Sequence, residues 1–215
     1  MAEPSAASRT KARSASLLGA DLKPAQRARY LRIIEAAKEL ASEGGYDAVQ
    51  MRAVAERSGV ALGTVYRYFP SKNHLLVVAM VLLFEDLSNR FGDTDIPGDS
   101  AHERIMSVLH GYIGRLESDH NLYDALVRAA MFADASSSAE LDRLGAIITG
   151  MYARAAGVEV VSEQLLNAVH VIADVWMSNL VSWAAGRATA DQVMAHMDSV
   201  VRLVFDRLER LQAIG

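Results

Sequence analysis

The sequence predicts an all-α protein with a small N-terminal helical domain and a larger C-terminal one. Apolar residues recur at spacings of three and four in one segment after another, as on the buried face of a helix. The 215 residues include only 4 prolines and no alternating Val, Ile and Thr segment typical of strands. The predicted division is a disordered, Ala/Ser-rich basic arm at 1–22, a helix-turn-helix domain at 23–72 and a helical domain at 73–215.

Three helices make up the predicted N-terminal domain. The first is expected at 24–43, where the apolar residues share one face and the pair Gly44-Gly45 supplies the left-handed conformations that end a helix. Two short helices follow at 51–58 and 62–69, and Gly59 forms the turn between them. Two short helices joined by a tight glycine turn predict a helix-turn-helix.

The longer helices come after this motif. Ser71 offers a side-chain oxygen to the first turn of a helix that runs to about Arg90, and the segment LLVVAMVLLF within it is apolar on every side. Such a helix must be covered by protein on most sides. After an acidic loop at 91–100, helices are predicted at 101–118, 121–133, 137–156, 162–186 and 189–212.

Continuous apolar stripes mark the last two predicted helices. Two long adjacent helices of this kind suit a four-helix interface between two copies of the chain. The residues predicted at this homodimer interface are Leu180, Val193, Met197, Val200, Val204 and Leu208.

Charge is distributed unevenly along the chain. Residues 1–74 carry 12 Lys+Arg and 7 Asp+Glu, whereas the remaining 141 carry 10 and 19. The positive N-terminal part favours an anionic partner. The absence of cysteine fits a reducing, cytoplasmic location. The longest apolar run, Leu75–Phe84, has half the length of a bilayer-spanning helix, so no membrane anchor is expected.

The second helix of the predicted helix-turn-helix combines groups that suit double-stranded DNA. A glycine permits close backbone approach, hydroxyl groups can donate to phosphates, and arginine can bind guanine or a phosphate. A dimer with one such helix per subunit is expected to bind an inverted repeat. The predicted DNA-binding residues are Arg52, Gly63, Thr64, Tyr66, Arg67, Tyr68 and Lys72, and Arg9, Lys11 and Arg13 of the arm could enter the minor groove.

This segment resembles the DNA-binding domain of the TetR family of bacterial repressors over about residues 28–76. The matching residues are Tyr46, Ala55, Gly59-Val60, Gly63-Thr64-Val65-Tyr66 and Tyr68-Phe69-Pro70-Ser71-Lys72. The resemblance implies a three-helix DNA-binding domain joined to a larger helical domain that binds a small-molecule inducer and forms the homodimer.

Two positions depart from the family pattern. Ala61 stands where many relatives have serine, so the recognition helix lacks a side-chain cap, a deficit of about 1 kcal/mol. His74 stands where relatives often have glutamate, so no reciprocal capping box is expected. Two interpretations of His74 stay open: a packing residue, or a group that senses the domain boundary.

A closer resemblance extends into the C-terminal half. Residues 50–79, 128–142 and 171–188 are similar to the KstR-type repressors of steroid and cholesterol catabolism in actinobacteria. That similarity implies a repressor released from its operator by a bulky hydrophobic ligand, a steroid acyl-CoA in that subgroup. Predicted ligand contacts, which could equally be ordinary core residues, are Met80, Phe84, Met106, Leu109, Tyr112, Leu126, Met131, Phe132, Trp176, Asn179 and Trp183.

The sequence also bears on other classes of function. The sequence contains no nucleophile elbow, zinc-protease motif, dinucleotide fingerprint or phosphate loop, so neither an enzyme nor a metal or cofactor is expected. One alternative is a regulator of lipid or drug export that responds to another hydrophobic compound. A second is a structural DNA-binding protein whose helical half only dimerises, and such a protein would not need a ligand cavity.

Overall fold

The computed structural model describes residues 22–92, 96–157 and 162–212, with side chains described for 22–90, 96–157 and 162–205. Within these ranges the chain forms α-helices and one short 3₁₀ helix, with no strand, which confirms the predicted all-α class. The helices are α1 Pro24–Ala48, α2 Met51–Ser58, α3 Leu62–Tyr68, α4 Lys72–Gly92, α5 Ala101–Ser118, α6 His120–Met131, the 3₁₀ helix Ala135–Ser137, α7 Ser138–Ala156, α8 Glu163–Ala184 and α9 Ala190–Gln212. The predicted arm at 1–22 lies almost entirely outside the described residues.

The chain divides into two compact units. The first combines Met1–Leu83 with Asn121–Leu144, and the second combines Phe84–His120 with Gly145–Gly215. The α6 segment and the start of α7 therefore pack with the N-terminal helices. Helix α4 contributes residues to both units.

The end of α1 differs from the prediction. Helix α1 was expected to stop at Glu43 but continues to Ala48 across a kink at Gly44-Gly45. Gly45 has a φ of 67°, a left-handed conformation that glycine adopts without steric cost. The glycine pair therefore interrupts α1 for two residues, and the chain then completes one more turn that includes Tyr46.

The turn between α2 and α3 has the predicted form. Gly59 adopts a φ of 65° and caps α2, and the Val60 N–H donates to the Ala55 carbonyl at 3.1 Å. Helix α3 begins after Ala61, whose side chain gives no cap hydrogen bond. On the inner side of the first unit, Val65 of α3 and Phe69 are fully buried.

Helix α4 begins at the predicted cap. The His74 N–H donates to the Ser71 hydroxyl at 3.1 Å. All residues of 74–81 are buried, which agrees with the expectation for a helix that is apolar on every side.

In the second unit α9 packs against α5 and α8. Helix α5 begins with a capping box, in which Ser100 accepts from the Glu103 N–H while Glu103 accepts from the Ser100 N–H. Two helix ends were predicted two residues too late: α6 ends at Met131, before the Asp134 turn, and α8 (Glu163–Ala184) ends before Gly186, which has a φ of 67°.

Helix α8 is long and apolar enough to cross a membrane by length and composition alone. Counting unbroken apolar runs did not reveal this, because polar residues interrupt the helix at regular intervals. Its apolar stripe, which includes Ile172 and Trp176, is buried inside the second unit. In the most apolar 18-residue window of α8, 39% is buried by the packing of the described residues, and one helix of this kind is weak evidence for a membrane span.

Candidate DNA-binding site and ligand-contacting residues

Helix α3 presents its polar residues on the side opposite its buried anchor. Val65 is fully buried, whereas Gly63 and Arg67 are exposed and Tyr66 is 49% exposed. Thr64 is partly exposed on the same helix. A side of α3 that carries a guanidinium, two hydroxyl groups and bare backbone has the size and chemistry to enter the major groove of DNA.

Gly63 has open space around it. A Cβ atom added there would meet no atom within 4 Å, and its backbone does not need a left-handed conformation. The fold of the chain itself therefore does not require glycine at this position. Close approach of a partner's backbone would require it, as predicted from the sequence.

The two tyrosines of α3 occupy different environments. Tyr66 is exposed, but the Tyr68 hydroxyl is buried and has no hydrogen-bond partner among the described residues. The Tyr68 ring packs edge-on against Tyr30, with ring centroids 5.7 Å apart. In this arrangement Tyr66 lies at the surface, whereas Tyr68 is partly exposed and its hydroxyl is buried.

The two flanking cations also differ. Arg52 is exposed at the start of α2. The Lys72 ammonium lies 3.7 Å from the centre of the Tyr46 ring and donates to the Tyr46 carbonyl at 3.2 Å. The Tyr46 hydroxyl in turn donates to Asn73 Oδ1 at 2.5 Å. Tyr46 therefore holds Lys72 in place at the start of α4, a role that the sequence did not reveal.

Part of the positive charge of the N-terminal segment is neutralised within it. Arg57 forms ion pairs with Glu43 at 2.8 Å and with Glu39 at 3.3 Å. The hydrogen bonds from Arg57 hold the pKa of the Glu43 carboxyl below its ordinary value. Arg57 is thus engaged on α1, whereas Arg52 and Arg67 have no ion pair within the described residues.

The predicted ligand contacts fall into both units. Met80, Leu126, Met131 and Phe132 belong to the first unit, and the other seven belong to the second. In the first unit Met80 and Leu126 are buried, whereas Met131 is 49% and Phe132 is 66% exposed. Met131 and Phe132 are therefore not core residues of the first unit, and two adjacent large apolar side chains that are exposed are unusual.

Three of the predicted ligand contacts meet in the second unit. The Phe84 ring stacks on Tyr112 at 4.9 Å, and Tyr112 lies 6.2 Å from Trp176 between ring centroids. The Tyr112 hydroxyl donates to the Met151 sulfur at 3.0 Å. These residues form an aromatic cluster, in which Met151 was not predicted from the sequence.

The remaining predicted contacts of the second unit lie around this core. Met106 and Leu109 are buried on α5, and the Trp183 ring lies 4.4 Å from the His120 ring. Asn179 is buried, its side-chain amide donates to the Val175 carbonyl at 2.8 Å, and its oxygen lies 3.1 Å from His196 Nδ1. Asn179 therefore already has protein partners.

A groove of about 410 Å³ lies in the second unit and opens widely to solvent. Of the predicted ligand contacts only Met106 lines it. Its polar side chains have partners in the protein: His102 pairs with Asp198 at 2.9 Å, and the Ser107 hydroxyl donates to the Pro97 carbonyl at 2.8 Å. The groove therefore does not coincide with the aromatic cluster.

The predicted interface residues are distributed over two faces of α8 and α9. Leu180, Val193 and Met197 are buried inside their own chain, while Val200 and Val204 are half-buried. Leu208 lies where side chains are outside the described residues. The outer faces carry Val171, 49% exposed, and Leu203, 74% exposed, neither of which was predicted. Their exposure was not predictable from the stripe, because they lie beside it.

A helix-turn-helix with a glycine turn, on a chain that is otherwise helical, is typical of DNA-binding regulators, and comparisons with known families make this class specific. Residues 33–79 match the family of bacterial regulatory proteins called tetR, and residues 98–204 match the tetracyclin repressor-like C-terminal domain. The chain belongs to the TetR family. It is a regulator, not an enzyme, as predicted.

Particular relatives confirm the predicted subgroup. The chain is 44% identical over 202 residues to the HTH-type transcriptional repressor KstR of Rhodococcus jostii, which covers 93% of this chain and 94% of that protein. It is 41% identical to KstR of Mycolicibacterium smegmatis over 92% of this chain and 95% of the relative. The chain is thus similar to KstR repressors along most of its length.

Two solved structures have the same fold. A TetR transcriptional regulator from Rhodococcus sp. RHA1 superposes with a TM-score of 0.77 at 31% identity, over 83% of this chain and 96% of that one. Thermus thermophilus FadR in complex with lauroyl-CoA superposes with a TM-score of 0.66 at 20% identity, over 82% and 93%. At 20% identity the second likeness concerns the fold alone.

Proposed function

We propose that this chain is a homodimeric transcriptional repressor of the KstR type that binds an inverted-repeat operator and leaves it when a bulky hydrophobic acyl-CoA binds. The observation that carries the proposal is the outer side of α3, where Gly63, Tyr66 and Arg67 are exposed opposite a buried anchor. Similarity to KstR repressors over more than nine-tenths of the chain supports the same function. A DNA-binding regulator of this class acts in the cytoplasm.

The ligand part of the proposal is supported by the aromatic cluster of Phe84, Tyr112 and Trp176. An apolar acyl chain or sterol ring system is recognised by large apolar and aromatic side chains with few polar groups. Two TetR-family regulators with the same fold were crystallised with lauroyl-CoA and stearoyl-CoA. For this chain we infer a steroid-derived acyl-CoA as the inducer, in agreement with its similarity to KstR.

Induction requires a ligand that binds one conformation better than another. Helix α4 belongs to both compact units, because Phe84 lies in the second while Lys72 lies in the first. Ligand binding at Phe84 would displace α4. Because the first turn of α4 closely follows the recognition helix in the chain, that displacement would move the recognition helix too. A changed spacing of the two recognition helices would no longer match half-sites about 34 Å apart.

The outer faces of α8 and α9 support the dimer. Val171 and Leu203 are large apolar residues exposed on these helices, and two such helices from each chain can form a four-helix interface. Val200 and Val204, both half-buried, adjoin Leu203 on α9 and remain candidates for the same interface.

The DNA-binding part is tested with duplexes selected by the protein from a random library. We expect an inverted repeat, and Arg67→Ala should weaken binding to it at least about five-fold, since a bidentate guanine contact contributes about 1–3 kcal/mol. Arg57→Ala is the matched control, because Arg57 is engaged with Glu43. Equal affinities of the two variants would contradict the assignment of α3 as the recognition helix.

The ligand part is tested by adding acyl-CoA compounds to the complex with that duplex. A sterol-derived acyl-CoA should release the protein, and Trp176→Ala should reduce the response while DNA binding without ligand is retained. Release by unrelated acyl or drug-like compounds alone would favour a regulator of another hydrophobic substrate. If no hydrophobic compound releases the DNA, the structural DNA-binding alternative is favoured.

A further inference from the structure

A cluster of buried polar side chains lies in the first unit, behind the recognition helix. His74, in the first turn of α4, is 1% exposed, and Glu140, in the first turn of α7, is 2% exposed. His74 Nε2 lies 3.6 Å from Glu140 Oε1, although the two residues are 66 positions apart in the chain. Ser137, which immediately precedes α7, is 1% exposed.

The polar atoms of this cluster have few partners. His74 Nδ1, the Ser137 hydroxyl and both carboxylate oxygens of Glu140 are buried without a hydrogen-bond partner among the described residues. Buried polar groups normally find partners, because an unpaired one costs about 1–3 kcal/mol. At 3.6 Å, the His74 ring is the ionisable group that the fold places against the Glu140 side chain.

We propose that the contact between His74 and Glu140 is a positioning link for operator binding, which holds the first turn of α4 against the start of α7 and, through Phe69, fixes the end of the recognition helix. The proposal rests on the proposed function, because it assigns a role to residues that do not touch DNA. It gives His74 a role beyond simple packing.

The link reaches the recognition helix through one side chain. Phe69 directly follows α3, is fully buried, and has its ring centre 6.0 Å from the His74 ring. Phe69 also stacks on Tyr30 of α1 at 4.9 Å. A displacement of His74 would therefore move Phe69, the residue that follows α3.

Neighbouring contacts restrain the same segment. Asn73, next to His74, donates to the Phe132 carbonyl at 3.0 Å and accepts from the Tyr46 hydroxyl. Hydrogen bonds from Ser136 hold the pKa of Asp134 below its ordinary value, and its proximity to His74 adds to this lowering. The first turn of α4 is thus attached by two adjacent side chains to the chain that follows α6.

The His74–Glu140 pair is better suited to fixing the positions of its helices than to raising the free energy of unfolding. Two buried ionisable side chains of this size lose hydration that their mutual attraction repays only in part, and apolar residues in their place are often neutral or stabilising. A pair that contributes little to net stability still restricts geometry, since each group tolerates few other positions. Breaking one partner alone leaves the other buried and unpaired.

The test is the double variant His74→Leu/Glu140→Leu, because single changes could fail to fold. Thermal unfolding should occur within a few degrees of the wild type, while affinity for the selected duplex falls about ten-fold, since the binding-competent arrangement becomes a minor state. The slope of affinity against salt should stay unchanged, because no phosphate contact is lost. Glu140→Gln in the wild-type background keeps an oxygen opposite the His74 ring, so its affinity for the duplex should stay within about three-fold of the wild type.

A matched control comes from the same segment. Asp124 and Arg128 pair at 2.9 Å within α6, so Asp124→Leu/Arg128→Leu removes a local pair and should leave duplex affinity unchanged. Wild-type affinity in the His74/Glu140 double variant would overturn the link. The link would also be overturned if the double variant lost affinity only in proportion to a loss of stability and Glu140→Gln lost affinity as well. Failure of the wild-type protein to bind any selected duplex would instead refute the proposed function.

Discussion

The sequence predicts the surroundings of the helix-turn-helix more fully than those of the paired helices α8 and α9. In the helix-turn-helix, Gly59 takes the expected left-handed turn and Val65 is the buried anchor of a helix whose polar side is exposed. In α8 and α9 the predicted stripe is real, but Val193 and Met197 are covered by their own chain. Periodicity identifies the residues that share a helix face, not the body that covers the face.

The largest predicted effect comes from a comparison of substitutions on the buried and the exposed face of α9. Met197→Asp should destabilise the protein by about 4 kcal/mol or more, because it places an unpaired charge in a fully buried site. Leu203→Asp alters a residue that is 74% exposed, so the fold should persist while the proposed dimer dissociates. Denaturant unfolding and sedimentation equilibrium measure the two effects. A Leu203→Asp protein that remains dimeric would place the interface elsewhere.

A second comparison sets two nearby glycines against each other. Gly59→Ala should cost about 1–2 kcal/mol of stability, because its φ of 65° is unfavourable for alanine. Gly63→Ala should raise stability by about 0.5 kcal/mol, since its surroundings are open and alanine favours helices. Gly63→Ala should nevertheless weaken duplex binding about ten-fold if DNA approaches its backbone closely. Unchanged binding in this variant would mean that no such approach occurs.

The sequence predicted most of the fold because its signals are local. Glycines, Ser71 and apolar spacing define helices within a few residues, and so the α2–α3 turn and the α4 cap appear where expected. The continuation of α1 beyond Gly44-Gly45 was not predicted. A glycine pair can either end a helix or only kink it, and tertiary contacts decide between these outcomes. The packing of α6 with the N-terminal helices was likewise invisible to local patterns.

The candidate sites were also predictable to different degrees, because local patterns are visible in the sequence and long-range contacts are not. Exposure on α3 follows from the position of Val65, so Tyr66 and Arg67 could be identified from the motif. The partners of His74 and Lys72 lie 66 and 26 residues away, and no pattern in the sequence connects Glu140 or Tyr46 with them. Long-range polar contacts of this kind required the structure.

The two tyrosines of α3 give the next prediction. Tyr66→Phe should weaken duplex binding about five-fold, the loss of one hydrogen bond to a phosphate, with no change in stability. Tyr68→Phe removes a hydroxyl that is buried without a partner in the described residues, so stability should stay equal or rise slightly while affinity is retained. Fluorescence anisotropy with a labelled duplex and thermal unfolding separate the two effects. A loss of affinity in Tyr68→Phe would show that its hydroxyl turns outward when DNA binds.

The smallest effect concerns the start of α3, where the sequence predicted a missing cap and the structure has none at Ala61. Ala61→Ser should stabilise the protein by about 1 kcal/mol, because the new hydroxyl can accept from an N–H of the first turn. For a chain of this length that corresponds to a rise of about 2–4 °C in Tm. Ala195→Ser is the matched control: Ala195 is exposed inside α9, where serine is a weaker helix former, so Tm should fall slightly. A rise in both variants would indicate a general effect of serine on the surface, and a rise in neither would mean that the backbone at residue 61 does not admit a side-chain cap.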